Sequence, residues 1–203
     1  MIGKNTGTIT GGRDSSDSYY KYQIYNNGEI TATGNGFNIG GLIGNNTTEN
    51  GKSGSLTAGY NTGAINASGS TNVGGIAGTN EGTLDQVFST IFDDNGDAGS
   101  VTGGTNVGGL VGNNSGTLSN AYNTSAVTSS HAGSLVGTNS GTVYNAYTTA
   151  GNSFFGANHG TTTNIYFADG SVPQNTMACM KALTLIRMAA AFGRTMTVMA
   201  IRC

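Results

Sequence analysis

Self-similarity constrains this chain more than any other feature. One pattern recurs: apolar, apolar, Gly, any residue, Asn, any residue, Gly, Thr, apolar. The cleanest copies run Leu110, Val111, Gly112, Asn114, Gly116, Thr117, Leu118 and Leu135, Val136, Gly137, Asn139, Gly141, Thr142, Val143. Further copies start at Ile2 and Ile76, a weaker one at Phe154, and one at Leu42 is interrupted by polar residues before resuming at Gly54, Ser55, Leu56. Tandem repeats of this kind are the signature of solenoids, in which one unit cannot bury its apolar face alone and stacking supplies the core.

Downstream of each copy, four residues past the apolar position, stands an aromatic in most cases: Tyr60, Phe88, Tyr122, Tyr147 and Tyr166. A turn and a short apolar strand then follow, as in 26–30, 61–65 and 123–127. Each copy thus reads as about three short strands separated by Gly/Asn/Ser/Thr turns. Strands this short do not persist as isolated hairpins, but stacked coil on coil each pairs with its copies at roughly 4.8 Å. The expectation is an all-β, right-handed parallel β-solenoid (β-helix) over residues 1–172. Leu84, Leu110, Leu118, Leu135 and Val143 should be buried, and Asn80, Asn114 and Asn139 should form a buried amide ladder of the cross-β type. The key glycines, from Gly3 through Gly44, Gly78, Gly112 and Gly137 to Gly156, are unevenly spaced. Loops of different length therefore leave a common coil, the longest at 11–22 and 93–99.

Within this pattern, 106–112 followed by Asn114 resembles the GLUG motif, as do 72–78 and 38–44. That motif belongs to large exported bacterial proteins: filamentous-haemagglutinin-type adhesins, other surface repeat proteins, and the non-catalytic repeats of some secreted immunoglobulin-cleaving metalloproteases. The resemblance covers about residues 1–170. It implies a parallel β-helix and a cell-surface or extracellular location, and it brings no catalytic residue with it.

After about Pro173 the composition changes. Residues 173–203 hold Met177, Met180, Met188, Met196 and Met199, five of the six methionines, and both cysteines, Cys179 and Cys203. The segment reads either as a helical cap or as sequence translated out of frame. Back-translated and read two bases later, the Met188–Ala189 junction yields Gly, Phe192–Gly193 yields Trp or Arg, Met196–Thr197 yields Asp and Met199–Ala200 yields Gly. That product resembles the segment that commonly closes GLUG-containing regions. As a membrane span the tail is excluded by Lys181, Arg187, Arg194 and Arg202.

Candidate chemistry is sparse. The chain carries 35 glycines, one proline, a net charge of −2 and only 9% charged residues, with no basic patch interleaved with aromatics for nucleic acid. Asp93, Asn95 and Asp97 resemble the start of a calcium loop, but Ala98 and Gly104 stand where such a loop needs Gly and Glu, so a solvated acidic loop is the plainer reading. His131 and His159 lack metal-ligand spacing and read as turn residues. No glycine-rich stretch leads into a phosphate-binding helix. Tyr19, Tyr20, Tyr22 and Tyr25 form the most distinctive insertion, able to offer broad faces and polar tips to a glycan or protein; alternatively, Tyr20, Tyr22 and Ile24 alternate as an ordinary strand.

Three functional expectations follow. The first is a structural or adhesive segment, a stiff stalk that presents loops to a host glycan or surface protein, with no enzymatic activity and no cofactor. The second is the non-catalytic repeat region of a secreted protease or polysaccharide-acting enzyme; a catalytic polysaccharide-cleaving β-helix is disfavoured because only Lys4, Arg13, Lys21 and Lys52 are basic before the tail. The third is an ice-binding solenoid, for which Thr8, Thr83, Thr117, Thr142 and Thr161 recur once per coil. Open sheet edges at the coil ends also predict end-to-end self-association of the chain.

Overall fold

The computed structural model describes residues 1–11, 24–90, 99–151 and 153–167. The described residues contain strands and no helix, and the chain winds through three parallel sheets as a β-solenoid. Sheet A stacks Ile2–Asn5, Ile43–Asn46, Ala77–Asn80, Val111–Asn114, Val136–Asn139 and Phe155–Asn158. Sheet B stacks Thr8–Thr10 together with Ile24–Asn26, then Ser55–Asn61, Thr83–Ser89, Thr117–Asn123, Thr142–Thr148 and Thr161–Phe167. Sheet C stacks Ile30–Thr31 and Phe37–Gly40 on Ile65–Gly74, Ser100–Gly108, and Ala126–Thr128 with Ala132–Gly133. We number the coils 1 to 6 by their sheet A strands.

The expected register is present. Thr117 pairs with Thr142 and Leu118 with Val143. Leu84, Leu110, Leu118, Leu135 and Val143 are fully buried, and they join Ile43, Leu56, Val87, Val111 and Val136 in one core between sheets A and B. A smaller core of Ile65, Ala67, Val73, Val101 and Val107 lies under sheet C. The three-strand reading of every copy needs correction: among the described residues, coil 5 has strands in sheets A and B only. The reason is length. Successive ladder asparagines are 41, 34, 34, 25 and 19 residues apart, and the last interval leaves too little chain for a third side. Aromatic side chains fill the narrowed coil, with Phe155 stacked in register on Val136 and the Phe154 ring 4.0 Å from that of Phe167.

Two local devices hold the strands in this shape. Sheet B carries a left-handed residue in mid-strand in each of coils 2 to 6: Ala58, Gln86, Asn120, Asn145 and Asn164, with φ between +49° and +60°. This kink re-phases the side chains, so Leu84 and Val87, three apart, both enter the core. Glycine is required elsewhere for space. A Cβ on Gly116 would sit 2.2 Å from the Gly82 carbonyl oxygen, and one on Gly141 2.1 Å from that of Gly116. The corner between sheets A and B is therefore a column of backbone packed on backbone.

Candidate functional site

Among the described residues the solenoid wall carries three classes of ordered column, and lateral elements leave it at three places. The first class is polar and internal. Asn5, Asn46, Asn80, Asn114, Asn139 and Asn158 form one amide ladder in which each Nδ2 donates to the Oδ1 of the next coil, at 2.7–2.8 Å throughout. Asn46, Asn80, Asn114 and Asn139 are fully buried. Two further amide ladders run the other way: Asn106 donates to Asn72 and Asn72 to Asn38, at 2.9 Å each, while Asn164 donates to Asn145 and Asn145 to Asn120. Asn120 ends the latter on Asp85, whose Oδ1 also accepts from Ser119. These ladders satisfy side chains that would otherwise be costly to bury.

The second class is aromatic. Tyr25, Tyr60, Phe88, Tyr122 and Tyr147 stack ring on ring along sheet B, with centroids 5.4, 4.9, 4.7 and 5.0 Å apart and planes within 12°. Tyr166 continues the column in register with Tyr147. The Tyr147 hydroxyl is buried without a hydrogen-bond partner, and burial pushes this phenol well above its usual range. Tyr25, at the coil 1 end, is 53% exposed.

The third class is hydroxylic. Thr8, Ser55, Thr83, Thr117, Thr142 and Thr161 stack in register along sheet B. The neighbouring column, two residues along, reads Thr10, Thr57, Asp85, Ser119, Tyr144, Thr163.

The lateral elements leave the coils without disturbing them. In coil 1, Thr10 pairs with Thr57 and Ile24 with Gly59. Residues 11–23 thus replace the single kink residue Ala58 of the next coil, and the strand resumes in phase. In coil 3, sheet B ends at Ser89, and Thr90 donates its N–H to the Asn61 carbonyl before the chain departs, to re-enter at Gly99. In coil 2 a short antiparallel hairpin, Thr48–Glu49 with Lys52–Ser53, projects between sheets A and B. Its turn is Asn50–Gly51, both at positive φ (+52° and +74°), as two-residue hairpin turns demand. Glu49 pairs with Lys4 of coil 1 at 2.8 Å, and Glu81 of coil 3 accepts from the Thr47 hydroxyl and the Thr48 N–H. The hairpin is tied to both neighbouring coils.

Of the sequence-derived candidates, Tyr25 sits at the root of the coil 1 insertion. Tyr19, Tyr20 and Tyr22 lie outside the described residues, as do Asp93, Asn95 and Asp97 and the tail from 168 to 203. Among the described residues no group of three His, Cys, Asp or Glu side chains could hold a metal ion. His131 and His159 are exposed at corners of the coil; His131 stands in the place of Asn38, Asn72 and Asn106 one coil further on, since Ala132 pairs with Val107. The hairpin escaped sequence reasoning, although Asn50–Gly51 was its signal.

These coils define a parallel β-solenoid with an asparagine-laddered core. A scan against protein-family models found no match, and neither did a search of curated proteins. Among solved structures, the chain is similar to a candidate immunoglobulin A1 protease from Bacteroides ovatus, at 20% sequence identity and a TM-score of 0.49. That match covers 77% of this chain and 53% of the other, so this chain spans about half the length of its structural neighbour.

Proposed function

We propose that the chain is a scaffold segment of an exported, GLUG-type bacterial surface protein, a stiff non-catalytic stalk that presents lateral insertions for adhesion to a host glycan or surface protein. One observation carries this reading. An insertion of residues 11–23 leaves sheet B after Thr10 and returns at Ile24 with the ladder unbroken. A wall that accepts inserted chain without losing register is suited to displaying variable loops, and loops on rigid scaffolds are where binding function concentrates. The tyrosine-rich character of that insertion supplies the contact chemistry, since Tyr gives rigid amphipathic area at low entropic cost.

The ice-binding reading needs a regular two-rank array of hydroxyls. The first rank is present, but Asp85 and Tyr144 interrupt the second, so this face presents no such array.

The test is deletion of residues 12–23, which leaves Gly11 to fill the kink position, and separately replacement of 91–98 by a short Gly/Ser link. Glycan-array and cell-binding assays should show binding lost in one or both variants while the thermal midpoint stays at the parent value. Binding that survives both changes would place function elsewhere on the wall.

A further inference from the structure

We infer that the outer face of sheet B in coils 4 to 6 binds an uncharged polysaccharide, with Tyr144 at the centre of the site. This site is separate from the insertions proposed above and does not depend on them. The first observation is a gap in charge. Residues 98–168 contain no Asp, Glu, Lys or Arg, where the chain's own 9% would place about six. The described charged side chains, Lys4, Glu29, Glu49, Lys52, Glu81 and Asp85, all precede coil 4. A partner for coils 4 to 6 therefore has to be recognised without ion pairs, by hydrogen bonds and ring contacts.

The outer face supplies both. Val143 lies in the core, so Thr142 and Tyr144 face outward by alternation. In coils 4 to 6 the threonine column and its neighbour carry a hydroxyl at every position, and the aromatic column beside them is all tyrosine; in coil 3 Asp85 and Phe88 break that pattern. Tyr144 differs from the stacked tyrosines, whose ring faces are spent on one another. Its column neighbours are the small Ser119 and Thr163, and it makes no ring contact among the described residues. The ring is half-buried, with Thr161 and Thr163 exposed beside it. An aromatic face rimmed by hydroxyls suits a sugar, which offers C–H groups on its flat side and hydroxyls at its edge. The Tyr147 hydroxyl, three residues along the same strand, is buried without a partner, a polar group that the fold itself leaves open next to the site. Equivalent hydroxyls recur at about 4.8 Å along the axis, so the face fits a chain of repeating sugar units better than a single one.

Native affinity electrophoresis of the full chain, through gels that each hold one dissolved polysaccharide, tests the site. Neutral β-glucan, mannan and galactan are the probes, and alginate is their charged counterpart. At least one neutral probe should retard the parent, alginate should not, and the retardation should be equal in low and high salt because no ion pair is screened. Tyr144→Thr installs the residue that Thr57 and Thr163 already supply in that column, so the wall keeps its register; circular dichroism melts check the fold. This variant should bind at least about tenfold more weakly, while Tyr144→Phe, which keeps the ring, should stay within about threefold of the parent. Deletion of residues 12–23 should leave the retardation unchanged, which separates this site from the insertion. No retardation by any neutral probe, a Tyr144→Thr variant that binds as the parent does, retardation lost with residues 12–23, or retardation by alginate that salt abolishes would each overturn the inference. So would sedimentation velocity that shows a dimer of the parent broken by Tyr144→Thr, since a second copy would then be the occupant of this face.

Discussion

Replacing Asn114 by Leu tests the internal ladder at its middle. The residue is fully buried. Its Nδ2 donates to Asn139 Oδ1 at 2.8 Å and to the Gly116 carbonyl at 3.3 Å, and its Oδ1 accepts from Asn80 at 2.7 Å. Leucine removes all three bonds, at about 1 kcal/mol each net. The orphaned groups differ. Asn80 Nδ2 keeps the Thr117 carbonyl at 3.1 Å and the Gly116 carbonyl keeps the Thr142 N–H, but Asn139 Oδ1 loses its side-chain donor. One stranded buried acceptor adds about 2 kcal/mol, and burial of the leucine carbons returns about 2 kcal/mol. The expected loss is about 3 kcal/mol, a fall in melting midpoint of roughly 6–12 °C for a chain of this size. Urea titration followed by circular dichroism measures it. Asn114→Asp adds a signature that packing alone cannot mimic. Its carboxylate would face Asn139 Oδ1 in a buried site, so its folded pKa lies above the unfolded value of about 3.9. Below the unfolded pKa the acid proton replaces the lost donor and the variant stands near the parent. Stability then falls as pH rises through the unfolded pKa toward the raised folded one, and stays low above it. A loss below about 0.5 kcal/mol for the leucine variant, or a flat pH difference for the aspartate, would refute the ladder as a stabilising element.

Other positions give sharper contrasts. Gly116→Ala should cost about 2–3 kcal/mol by overpacking, since its Cβ would meet backbone at 2.2 Å, whereas Gly7→Ala, whose nearest neighbour is 4.0 Å away, should change stability by less than about 0.5 kcal/mol; paired urea titrations compare them. Ala58→Gly should raise stability by about 0.5–1 kcal/mol, because Ala58 is held at φ +60°, and an unchanged or lower denaturation midpoint would count against strain there. Tyr147→Phe removes a buried, unpartnered hydroxyl and should stabilise by about 1 kcal/mol. With its folded pKa raised by burial, Tyr147 adds no pH-dependent cost below the unfolded pKa of about 10, and stability falls as pH rises beyond it because the unfolded phenol ionises first; alkaline unfolding of the parent should show this slope and the Phe variant should lack it.

The coil itself was legible because its strongest determinants are periodic side chains. Leu118 and Val143, Asn114 and Asn139, and Tyr122 and Tyr147 each recur at a fixed offset, and identical residues that stack are visible as a repeat. What stayed hidden depends on backbone conformation. Asn120 and Gln86 look like ordinary polar strand residues, and only the fold shows that positive φ lets Val87 turn inward beside Leu84. The second glycine of each pair is equally silent in sequence. Gly75 and Gly109 exist because Ser89 and Asn123, from the opposite side of the same coil, occupy the space where their Cβ atoms would be. The loss of sheet C from coil 5 was foreshadowed by the shrinking interval, but which side would vanish followed only from which side has the weaker core.

That asymmetry bears on where function can reside. From coil 2 onward the sheet A strands keep four residues and the sheet B strands keep seven, whatever the coil length. They share the asparagine ladder, the glycine column and the larger apolar core, so an insertion within one of these strands would break several columns at once; the coil 2 hairpin avoids this by leaving the corner after Asn46 and returning at Gly54. Sheet C rests on the smaller core, and its two short pieces in coil 4, Ala126–Thr128 and Ala132–Gly133, stand opposite one continuous strand, Ser100–Gly108. Interruption on that side costs fewer contacts. The coil 3 departure after Thr90 uses the entrance to sheet C. The coil 1 departure after Thr10 does not, yet it opens sheet B at the one mid-strand position where the chain is already kinked, and only in the coil at the edge of the stack, where no described strand lies below. Inserted chain thus leaves this wall at the entrance to sheet C, at an existing kink at the edge of the stack, and at the corner between sheets A and B, places from which a loop can vary while the columns stay in register.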